Sequence, residues 1–99
     1  KPGRVGLSES RAIAAAAGSR KQRVALGLYA ESALGTLISL QFTPADPITP
    51  AEQSFYLAMR EQVLSADLRI ADGRVELPDV ADLATLIDWS AIDRFAVQP

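Results

Sequence analysis

The chain has 99 residues, 48% hydrophobic and 22% charged, with a formal net charge of −2. That length allows one domain with one modest core, and the composition is that of a folding rather than a disordered chain. Cysteine and histidine are both absent, which excludes disulfides, iron–sulfur clusters and thiolate or imidazole metal sites, and leaves general-base chemistry near neutral pH to a perturbed carboxylate or lysine.

The chain begins at Lys1 rather than at methionine, which implies residues upstream. Residues 1–6, with Pro2, Gly3 and Gly6, read as a flexible lead. Ser8 or Ser10 is placed to cap a short helix through Arg11–Ala17, and Gly18 to end it. Alanine favours helix but offers little side chain to bury, so this helix is expected on the surface or close against a partner. Residues 19–42 form the longest apolar run, headed by Arg20, Lys21 and Arg23 and carrying one acid, Glu31. Two readings stay open. As helix, 20–41 makes about six turns and buries Val24, Leu28, Leu34, Leu37, Ile38 and Leu40. As strands, Val24, Leu26 and Leu28 alternate, as do Ile38, Leu40 and Phe42, with a bend near Glu31–Gly35. The helix reading is preferred because alanine, leucine and glutamate outnumber the β-branched residues. A membrane span of about 20 residues fits the length and the basic flank, but Glu31, Gln41 and two glycines argue for a buried helix instead.

Residues 43–50, with Pro44, Pro47 and Pro50, read as a stiff linker. Thr49-Pro50-Ala51-Glu52 signals a helix start by threonine cap, first-turn proline and capping-box glutamate, and the helix is expected to run to Ala66. Phe55, Tyr56, Met59, Val63 and Ala66 would make its core face, with Leu57 and Leu64 a second stripe for a partner or another copy. Asp72-Gly73 predicts a two-residue hairpin turn within 67–77, pairing Ala71 with Arg74, Ile70 with Val75, Arg69 with Glu76 and Leu68 with Leu77. Asp79 is placed to cap a helix with Val80, Leu83, Ala84 and Ile87 on one face, and Ser90 with Asp93 to restart it through Ile92 and Phe95. Trp89 at the joint reads as a core or interface anchor. The fold class is therefore mainly α with one β-hairpin, a small single domain of about four helices: a basic-headed half over 7–42, the linker, and an acidic α–ββ–α half over 51–99.

The acids of the second half are accounted for by turns, caps and solvent faces, and they lack the ligand spacing of a calcium loop. With no phosphate-cradling glycine loop and no serine–histidine pair, the chain is expected to be non-catalytic, without metal, cofactor or small-molecule substrate. Charge is the stronger signal. Residues 1–23 carry six bases against Glu9, and the rest four bases against eleven acids, a split of +5 and −7. Such a split points to a basic segment for an anionic partner joined to an acidic body, or to a basic end that packs on the acids of a neighbouring subunit.

Ile13-Ala14, Ala17-Gly18 and Val24 have a spacing that resembles a helix-turn-helix. That resemblance implies a second helix starting at Ser19 and presenting Arg20, Lys21, Gln22 and Arg23 to nucleic acid, with Arg4 and Arg11 as further phosphate contacts. Over 49–95, the order helix, Asp-Gly-Arg hairpin, helix resembles the lambda W-type head-completion proteins of tailed phages, which implies a small connector that assembles as a ring. The expected function is a non-catalytic binding module. Its basic segment engages nucleic acid or an acidic protein surface, and its acidic half mediates self-association through Leu57, Leu64, Trp89 and Phe95. The alternatives are a structural assembly protein such as a phage connector, and a membrane-anchored small subunit. Homo-oligomerisation and a cytoplasmic or virion-associated location follow from the first two.

Overall fold

The computed structural model describes residues 1–42 and 51–97. In chain order it holds α1 (Pro2–Val5), α2 (Leu7–Ser19), α3 (Ala33–Leu40), a 3-10 turn at Phe55–Ala58, β1 (Ile70–Ala71), β2 (Arg74–Val75), a second 3-10 turn at Leu83–Leu86 and α4 (Trp89–Phe95). The protein is mainly helical with a single antiparallel hairpin among the described residues. The linker at 43–50 and the Thr49-Pro50 cap lie outside them.

The lead holds a short helix. Pro2 starts α1, where its fixed φ suits a first turn, and its side chain is buried. Position 3 packs closely on Glu31: a Cβ there would stand 2.5 Å from Oε1, so a larger residue would force the carboxylate to shift. Helix α2 is capped by Gly6, not by Ser8 or Ser10; the Ser10 hydroxyl donates back to the Gly6 carbonyl at 2.8 Å. Its end is also displaced from Gly18. The Lys21 amide donates to Gly18 O and the Gln22 amide to Ala17 O, the paired bonds of a Schellman end, and Lys21 itself takes the left-handed position at φ 55°. No residue of α2 is buried.

Neither reading of 20–41 holds along its whole length. Residues 22–32 are non-helical and only 33–40 form a helix. The Leu26 carbonyl accepts from the Glu52 amide at 3.0 Å, and the Gly27 carbonyl from Gln53 Nε2 at 3.3 Å. The backbone there is thus satisfied across the chain instead of along a helix. Ala30 at φ 36° reverses the path, and Ser32 in extended conformation caps α3 through the Gly35 amide.

The helix expected over 50–66 is replaced by one 3-10 turn. Met59 leaves it at φ −82°, ψ 134°. Gln62 explains the exit: its Nε2 donates to Tyr56 O at 2.7 Å, and its Oε1 accepts from the Ala33 amide at 2.8 Å. The side chain takes the carbonyl a continuing helix would use, and satisfies a first-turn donor that α3 cannot. Of the expected apolar face only Tyr56 is buried. The hairpin keeps its register, Ile70 with Val75 and Ala71 with Arg74, and Asp72 and Gly73 both have positive φ. The ladder stops there, and Arg69 pairs with Asp67 at 3.7 Å rather than with Glu76. In the last segment the helix expected from Asp79 is reduced to the 3-10 turn at Leu83–Leu86, and the caps shift. Asp82, not Asp79, accepts from the Ala84 amide, and Asp88, not Ser90, caps α4 through the Ala91 amide.

Ala33, Leu37, Tyr56 and Leu68 make the core, with Leu64, Val75 and Leu86 packed on it. It is small, and large side chains such as Leu57, Trp89 and Phe95 stay outside it. No helix among the described residues is long and apolar enough to cross a membrane.

Candidate functional site

The basic segment is carried by α1, α2 and the turn that closes α2. Arg4 lies in α1 and Arg11 on α2, both exposed, and the Arg11 guanidinium sits 5.9 Å from the centroid of the Phe42 ring. Arg20 is the C-cap residue of α2, Lys21 holds the left-handed position, and Gln22 and Arg23 follow in non-helical chain. All four side chains are exposed. The second helix implied by the helix-turn-helix resemblance is therefore not formed, because the Schellman bonds terminate the only helix near Ser19. The one ion pair among the described residues joins Arg69 to Asp67, so none of these bases is paired with a described acid of its own chain. Cations at a helix C-terminus are also favoured by the helix dipole, which needs no side-chain acid.

A second feature lies beside the hairpin. An open pocket of about 400 Å³ is lined by Leu37, Leu64, Leu68, Leu77 and Leu86, with Asp67, Arg69, Glu76, Asp79 and neighbouring backbone around them. Arg69 is matched by Asp67, which leaves Glu76 and Asp79 to give the rim its negative sign. The expected interface residues differ in exposure. Leu57 and Trp89 are 60% and 61% exposed and Phe95 is 45% exposed, whereas Leu64 packs on the core beside its antiparallel bridge to Ile87. Leu64 thus serves the fold and the pocket wall rather than an outer stripe. Phe95 borders a separate groove with Met59 and Val63.

Buried polar groups are what sequence reasoning missed. Glu31, 9% exposed, accepts from the Ser39 hydroxyl at 2.8 Å through Oε1, while Oε2 has no partner among the described residues. The Tyr56 hydroxyl is likewise unpartnered, and burial raises its pKa. The Asp88 carboxyl is held below its ordinary value, first by the Ser90 hydroxyl at 2.6 Å and then by the Ala91 amide. The only sequence sign of Glu31 was a lone acid inside an apolar run. No group of three acids among the described residues is arranged to hold a metal ion. No family model, curated protein or solved structure matches the chain.

Proposed function

We propose that this protein is a non-catalytic binding module whose basic segment contacts the phosphate backbone of nucleic acid, while its acidic half makes protein–protein contacts. The observation that supports it is the exposed set Arg20, Lys21 and Arg23, clustered at the end of α2 and without an ion-pair partner in their own chain among the described residues. Lys21 adds to this. A lysine in the left-handed region is strained where glycine would not be, and such strain concentrates at functional positions. With no second helix to enter a groove, the reading is phosphate contact without base selection, a binding mode governed by counterion release.

Replacing Arg20, Lys21 and Arg23 together by alanine tests it. Duplex retention at low salt should fall, the dependence of log K on log salt should flatten by roughly 2.7, and the melting temperature should stay near that of the wild type, because exposed charges contribute little to folding. Unchanged retention would remove these three residues from the reading. A structural assembly subunit is the second reading, favoured by the large apolar side chains left exposed at Leu57, Trp89 and Phe95.

A further inference from the structure

We infer that the segment Arg20–Val24 of one chain seats in the leucine-lined pocket beside the hairpin of a second copy. The inference rests on the proposed protein–protein role of the acidic half and names its partner. Two observations carry it. The segment and the pocket are complementary in charge: Arg20, Lys21 and Arg23 face no acid of their own chain within ion-pair distance among the described residues, and Glu76 and Asp79 have no base of theirs. They are also complementary in apolar surface. Val24 follows Arg23 directly and is 42% exposed, while Leu77 on the pocket wall is 44% exposed, so docking withdraws both from water.

Two different surfaces meet in this contact, so it is head-to-tail, and copies close into a ring or extend as an open chain. The same three cations serve both nucleic acid and the neighbouring pocket. Duplex DNA and self-association therefore compete, and added duplex lowers the assembled fraction.

The test is the sedimentation mass of full-length chains at low salt. The wild type should be larger than a monomer. The pocket variant E76K/D79K should be monomeric, its association weakened about tenfold or more, and so should the segment variant R20E/K21E/R23E. Mixing the two should restore the assembled mass, because each then offers the charge the other's surface lacks; a variant that had merely misfolded could not be rescued this way. A monomeric wild type overturns the inference, as does an E76K/D79K variant that assembles like the wild type or a mixture that stays monomeric. Retention of DNA by E76K/D79K, which keeps all six bases of residues 1–23, is read in parallel. If the assembled mass behaves as stated but no duplex is retained, the nucleic-acid reading fails and the contact between copies stands.

Discussion

Ser39→Ala should be one of the more costly single-atom deletions in this protein. Among the described residues the hydroxyl is the only partner of Glu31 Oε1, at 2.8 Å inside a site where Ser39 is 1% exposed, and Oε2 has none. Removing it leaves a buried carboxylate with neither oxygen satisfied. A hydrogen bond to a charged group contributes about 1.5–3 kcal/mol, and for a domain of this size each kcal/mol moves the midpoint by about 4–8 °C. The melting temperature should therefore drop by roughly 6–24 °C. Glu31→Gln in the same background removes the uncompensated charge and should recover part of that loss. Gly3→Ala reaches the same bond from outside. Its Cβ would stand 2.5 Å from Oε1, so the carboxylate must shift, and a shift perturbs its bond to Ser39. The costs of Gly3→Ala and Ser39→Ala should then be less than additive. Thermal melts followed by circular dichroism decide this. A Ser39→Ala variant that melts with the wild type, or full additivity with Gly3→Ala, would refute the assignment of Glu31 as a hydrogen-bonded buried acid.

Lys21→Gly relieves the left-handed strain at the end of α2 and should raise stability by up to about 1 kcal/mol in chemical denaturation, while weakening duplex retention by one phosphate contact. Gly73→Val, at φ 71°, should lower the melting temperature, since a β-branched side chain is badly strained there. Acid should loosen α4 first. Because folding lowers the Asp88 pKa, its stabilising contribution is present above the ordinary carboxylate value and is lost as pH falls through the lowered one. Asp88→Asn keeps a cap oxygen and should remove that part of the acid dependence, as read from melts at descending pH.

The hairpin and the charge split were legible because both are local. Asp72-Gly73 needs two positive φ angles, and those two residues accept them wherever they stand. The helix at 50–66 was not legible as absent, because its capping signals are local while Gln62, which ends it, acts through Ala33, 29 residues away. The same holds for 20–32, where Glu52 and Gln53 take the carbonyls of Leu26 and Gly27. Of the candidate site, the bases could be counted from sequence. That Lys21 rather than Gly18 turns the chain out of α2, so that no second helix follows, required the backbone itself. The outer leucine stripe failed for a related reason: Leu64 is drawn inward by the bridge between its segment and Ile87.

Phosphate binding by the exposed cations at the end of α2 is decided by the wild-type affinity for duplex DNA across a salt series. Log K should fall linearly with log salt, each neutralised phosphate contributing about −0.9 and Arg20, Lys21 and Arg23 together about −2.7 of the slope. A flat dependence, or no binding at the lowest salt, would contradict it.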